Sequence, residues 1–190
     1  MRRLPDMVID PLTGLLYEAR QVPSPNYDLR PEDAAIDLLV IHAISLPAGE
    51  FGGPWIDDLF CNTLDATAHP DFADICRLQV SAHVLIRRDG ALVQYVPFQH
   101  RAWHAGQSRF QGRERCNDFS IGIELEGCDT QAFTEAQYQS LASLVRSLMA
   151  AYPAITPERI TGHSDIAPGR KTDPGPHFDW RHLRELIDAA

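Results

Sequence analysis

Ile36-Asp37-Leu38-Leu39-Val40-Ile41 is a nearly continuous apolar run that ends at His42. That pattern predicts a central strand buried on both faces. Residues 81–88 and 91–98 flank Asp89-Gly90 and predict a two-stranded hairpin. Residues 119–126 alternate strictly, with Ile121, Ile123 and Leu125 on one side and Gly122, Glu124 and Glu126 on the other, as in a strand. The apolar spacing then changes to three or four residues. Tyr138, Leu141, Val145, Leu148 and Tyr152 mark the inner face of a helix that opens on the capping box Thr134-Glu135-Ala136-Gln137 and stops at Pro153. Residues 54–60 predict a short helix with Pro in its first turn. Thr156-Pro157-Glu158 starts a helical turn, and Asp179 caps a last helix with Trp180, Leu183, Leu186 and Ile187 inward.

Three segments lack such periodicity. Residues 1–35 are polar and punctuated by Pro, and read as an N-terminal extension packed on a domain of residues 36–190. Residues 99–118 are long for a connection and hold Trp103-His104-Ala105-Gly106 and Gly112-Arg113-Glu114-Arg115, which favours a functional loop. Residues 161–176 contain three glycines and three prolines, which exclude a continuous helix or a central strand. A structured loop is expected there, carrying His163, Asp165, Lys171 and Asp173. Lys171 is the only lysine in the chain, a compact point charge where every other strongly basic position is an Arg fork.

With 190 residues, one domain is the expectation. A net charge of −9 argues against nucleic acid or an anionic membrane surface as partner. No run of about twenty apolar residues is present to span a membrane, and no apolar stretch follows Met1-Arg2-Arg3 as a secretory signal requires. Cys61, Cys76, Cys116 and Cys128 form no C-x-x-C pair and fit reduced thiols in a cytoplasmic protein. The chain has no phosphate loop, dinucleotide fingerprint or G-x-S-x-G elbow. Hydrolytic zinc sites use three protein ligands and a water, which His42, His163 and one loop Asp can supply. Spacing leaves Asp165 and Asp173 as alternatives, and leaves open whether Glu124 and Glu126 are an acid/base pair or a solvated strand face.

Several longer stretches carry a resemblance. They are Val40-Ile41-His42, Glu50-Phe51-Gly52-Gly53-Pro54-Trp55-Ile56, Val80-Ser81-Ala82-His83, Leu85-Ile86-Arg87-Arg88-Asp89-Gly90, Arg101-Ala102-Trp103-His104-Ala105-Gly106, Ile121-Gly122-Ile123-Glu124-Leu125-Glu126-Gly127 and the 161–176 loop. In these the chain resembles the zinc N-acetylmuramoyl-L-alanine amidase family, related to phage T7 lysozyme and peptidoglycan-recognition proteins. The resemblance implies an α/β single domain with a central mixed β-sheet flanked by helices. It also implies one Zn²⁺ per chain on His42, His163 and Asp173. A zinc-activated water would act with Glu124 as general base and Lys171 as oxyanion stabiliser. The implied substrate is a small anhydro-muropeptide, cut at the lactyl–L-Ala amide during cytoplasmic cell-wall recycling by a monomer, with an indirect effect on β-lactamase induction. Trp103 would pack on the sugar, and Arg113 and Arg115 would bind the peptide's anionic end. Two positions depart from the family: Ala43 stands where Asn is frequent, and Ser164 where some relatives carry Cys.

Overall fold

The computed structural model describes residues 4–189. Met1, Arg2 and Arg3 of the expected extension, and Ala190, lie outside the described residues. In chain order the strands are β1 (Arg20–Gln21), β2 (Tyr27–Asp28), β3 (Leu38–Ile44), β4 (Val84–Ile86), β5 (Leu92–Gln94), β6 (Arg101–Ala102), β7 (Arg109–Phe110), β8 (Arg113–Glu114), β9 (Ser120–Glu126) and β10 (Ile160–Gly162). The helices are α1 (Trp55–Phe60), α2 (Glu135–Ala151), α3 (His163–Ile166) and α4 (Trp180–Asp188). Six strands form one mixed sheet in the order β1-β5-β4-β9-β3-β10, in which only the β4–β5 hairpin is antiparallel.

The two faces of the central strands do different work. Leu39, Ile41, Ile121, Ile123 and Leu125 pack against Leu141, Leu144, Val145 and Leu148 of α2 and Leu183 of α4 in the main core. Burying one such side chain stabilises the fold by about 1.5–3 kcal/mol. The opposite face carries Leu38, Val40 and His42 on β3 and Ser120, Gly122, Glu124 and Glu126 on β9, by the two-residue alternation of a strand. α1 and the 99–118 segment cover that second face, through the clusters around Phe60, Tyr95 and Leu85 and around Cys116 and Phe119.

Helix α2 starts at the expected capping box: Thr134 Oγ1 accepts from Gln137 N, and Gln137 Oε1 accepts from Thr134 N. Gln137 also donates to the carbonyls of Ile86 and Glu126, which ties the helix start to the ends of β4 and β9. The turn of the β4–β5 hairpin places Gly90 at φ +86°, the left-handed conformation that glycine adopts without strain.

The structure corrects four expectations. The strand expected over residues 36–41 runs from Leu38 through Ile44, so His42 is inside it, because Ala43 and Ile44 go on pairing with Leu125 and Glu126. β9 shows no solvated face: all seven residues are buried, since both sheet faces are covered. The 161–176 segment is partly regular, as β10 pairs parallel with β3 and α3 follows at once. Finally, the N-terminal extension supplies two short strands, β1 on β5 and β2 on β6. Edge strands of two residues need only backbone partners and carry no hydrophobic alternation to read. No helix among the described residues is long and apolar enough to cross a membrane.

Candidate metal centre

Strand register assembles the centre. His42 of β3 lies directly opposite Glu124 of β9, so both side chains leave the same sheet face side by side. On the other flank Gly162 of β10 pairs with Ile41, which brings His163, the next residue, alongside His42. The loop then folds back: Ser164 N donates to the Asp173 carbonyl at 2.9 Å, and Asp173 returns to the two histidines. His42 Nδ1 and His163 Nδ1 are 2.9 Å apart, and each is 3.1 Å from Asp173 Oδ2. These atoms are the one three-residue cluster of metal-binding type found among the described residues.

The donor chemistry fits a cation. His163 Nε2 lies 3.2 Å from the Ala105 carbonyl, which only accepts, so the ring proton sits on Nε2 and Nδ1 is bare. Burial, which the neighbouring Asp173 only partly offsets, pulls His42 down to about 4, so its ring is neutral at pH 7. Bare nitrogens and a carboxylate oxygen packed this closely repel one another unless a positive charge stands among them. The histidine nitrogens and carboxylate oxygen are also the ligand types that zinc uses.

Of the two carboxylates on β9, only one is uncommitted. Glu126 accepts from Gly52 N, Arg87 Nη1 and Arg88 N, and so braces the loop and hairpin beside it. Glu124 Oε2 is buried with no hydrogen-bond partner. Burial, reinforced by the Asp173 charge, raises its pKa well above the ordinary glutamate value, with Lys171 opposing. Asp165 is consumed too: its Oδ2 accepts from Gly162 N and Thr161 Oγ1, each at 2.9 Å, and holds the entry to α3. In each pair that spacing left open, one carboxylate is thus bonded to backbone or side-chain donors of its own surroundings, and the other lies at the histidine cluster.

A cleft of about 260 Å³ opens over the centre, bordered by His42, Glu124, His163, Lys171 and Asp173. Its far wall includes Trp103, Leu59, Phe60 and Ile75. Lys171 and Trp103 therefore join the expected ligands at one site. Ala43 also borders the cleft while packing on the helix-side core. The structure does not bring Arg113 and Arg115 there. Arg113 is tied to Asp37 at 2.6 Å and stacked over the Phe119 ring, and Arg115 pairs with Asp118 and borders a separate cleft with Arg109 and Arg170.

One participant was missed: His104, whose Nδ1 lies 2.9 Å from His42 Nε2. Its signal in the sequence was Gly122. A Cβ at Gly122 would stand 2.4 Å from the His104 ring, so the space that glycine leaves in a buried strand belongs to that imidazole. Gly122→Ala is expected to lower stability by about 1–3 kcal/mol through overpacking, read as a lower urea midpoint at unchanged slope.

A mixed α/β sheet with a buried His-His-Asp cluster beside an uncommitted carboxylate offers the donor set that metal-dependent hydrolases use. The profile of N-acetylmuramoyl-L-alanine amidase (Amidase_2) matches residues 32–176, and the chain belongs to that family of enzymes. It is 67% identical over 177 residues to the 1,6-anhydro-N-acetylmuramyl-L-alanine amidase AmpD of Salmonella typhimurium, covering 93% of this chain and 94% of that protein. A crystal structure of a selenomethionine derivative of AmpD superposes with a TM-score of 0.92 at 65% identity, over 95% of this chain and 99% of that one. AmiD of E. coli, solved as a complex with the substrate anhydro-N-acetylmuramic acid-L-Ala-D-γ-Glu-L-Lys, matches at TM-score 0.60 and 35% identity, over 83% of this chain and 60% of that one.

Proposed function

We propose that the protein is a zinc-dependent amidase that hydrolyses the lactyl–L-Ala amide of 1,6-anhydro-N-acetylmuramyl peptides in cytoplasmic cell-wall recycling, with His42, His163 and Asp173 as metal ligands. The observation that carries the chemistry is the cluster of bare nitrogens and carboxylate oxygen within 3.1 Å of one another. The substrate assignment rests on the likeness to AmpD over nearly the whole chain. Residues 36–190 are assigned as the catalytic unit, with the first 35 residues as an extension on it.

Zinc bound there supplies a Lewis acid that lowers the pKa of a water toward about 7 and offsets the Asp173 charge facing Glu124. The Glu124 carboxylate takes the proton of the attacking water and delivers it to the departing L-Ala nitrogen. The carbonyl carbon gains the water oxygen as its bond to nitrogen breaks, so the products are a free lactyl carboxylate and a free amine. The Lys171 ammonium, for which no ion pair is found among the described residues, faces the cleft and meets the charge developing on the carbonyl oxygen. Lys171→Ala is expected to lower kcat about 10²–10³-fold while leaving zinc content unchanged, measured by steady-state kinetics beside metal analysis.

Trp103 gives the sugar a flat apolar wall. Neither Arg113 nor Arg115 borders this cleft, and of the two only Arg115 is free enough to move toward an anionic peptide end. Its side chain is 72% exposed, and its pair with Asp118 is of the surface type that contributes under about 1 kcal/mol. Metal analysis of purified protein, joined to mass spectrometry of the products from anhydro-muropeptide, tests the proposal. One zinc per chain and release of a peptide beginning at L-Ala are expected. Faster cleavage of intact sacculi than of the soluble muropeptide would overturn the substrate assignment.

A further inference from the structure

We propose that His104 is a positioning residue that fixes His42 in the tautomer able to bind a cation; this rests on the metal assignment above. Proton accounting along a short relay gives the direction of each bond. Ser120 Oγ donates its single proton to the Cys116 carbonyl at 2.6 Å. Toward His104 Nε2, 3.1 Å away, the same oxygen can only accept. The His104 proton therefore sits on Nε2, and its Nδ1 is an acceptor. That acceptor lies 2.9 Å from His42 Nε2, which must carry the proton of the neutral His42 ring. His42 Nδ1 is left bare, facing His163 Nδ1 and Asp173 Oδ2.

The relay is built in rather than incidental. Asn117 Oδ1 accepts from the backbone nitrogens of both His104 and Ala105 and sets the height of the imidazole. Gly122 leaves the space in which the ring sits, since a Cβ there would stand 2.4 Å from it. Ser120, Gly122 and Glu124 then follow one another along one face of β9, giving the anchor of the relay, the room for it and the reacting carboxylate. The opposite tautomer of His42 would aim an N–H into the metal position. Partners on the second ring nitrogen of a metal-binding His fix its orientation in this way, and their loss weakens metal binding about 10–100-fold.

The experiment measures zinc affinity by chelator competition in His104→Leu, His104→Asn and Ser120→Ala, and reads the His42 tautomer of the metal-free parent by nitrogen-15 NMR. His104→Leu removes the acceptor and is expected to weaken zinc about 10–100-fold. His104→Asn puts an amide oxygen near the position of Nδ1 and is expected to stay close to the parent, with Ser120→Ala between them. A purely structural role would lower stability in these variants without ranking their zinc affinities in this order. Parent-like affinity in a folded His104→Leu, or a His42 proton on Nδ1, overturns the proposal. Should His104→Leu not fold, Ser120→Ala and the tautomer decide. A parent protein that binds no zinc would instead refute the metal assignment, while the NMR tautomer still tests the relay.

Discussion

Asp173→Ala is expected to remove both bound zinc and turnover, a loss larger than the about 10²–10³ expected for deleting one oxyanion donor. The carboxylate is the only anionic member of the proposed ligand set, and without it two neutral imidazoles remain for a dication. Asp165→Ala is the control. It deletes an acceptor of two bonds at the start of α3, with an expected loss of about 1–3 kcal/mol and zinc retained. Metal content of the two purified variants, measured beside their melting temperatures, checks the assignment. Stoichiometric zinc in Asp173→Ala together with its loss from Asp165→Ala would make Asp165 the third ligand.

The elements that position the site were legible where burial and periodicity agree. The apolar run before His42, the alternation around Glu124 and the capping box at Thr134 each correspond to an element of the fold. What periodicity cannot carry is convergence between distant segments. His163 reaches His42 because three residues of β10 pair with β3, and a three-residue edge strand beside Gly and Pro has no pattern of its own. The choice between Asp165 and Asp173, and between Glu124 and Glu126, depends on which oxygens the backbone and arginines have already claimed. Spacing says nothing of that. His104 was harder still, since its partners are a strand glycine and a serine from another part of the chain. Arg113 shows the opposite failure: a basic residue in a loop suited to function is held by Asp37 and the Phe119 ring.

Glu124→Gln is expected to keep zinc, lose about 10²–10⁴ in kcat, and stabilise the metal-free protein. Glutamine fills the same space but cannot accept the proton of the attacking water, so the loss belongs to kcat more than to substrate affinity. The stability effect follows from linkage. Burial first, and the Asp173 charge second, raise the pKa of Glu124 above its ordinary 4.5. Between that value and the raised one, the folded state holds a proton that the unfolded state has released, so stability falls as pH rises through the window. Below about 4.5 the penalty is absent, and above the folded pKa it is complete. A neutral glutamine amide would carry no such penalty. Metal-free Glu124→Gln should therefore melt above the metal-free parent at neutral pH, and the gap should shrink toward zero on acidification to about pH 4. A gap independent of pH would mean that Glu124 finds a compensating partner in solution. Full activity in Glu124→Gln would move the proton acceptor elsewhere in the cleft. Zinc should narrow the gap again, because a dication beside Glu124 favours the ionised carboxylate that burial disfavours.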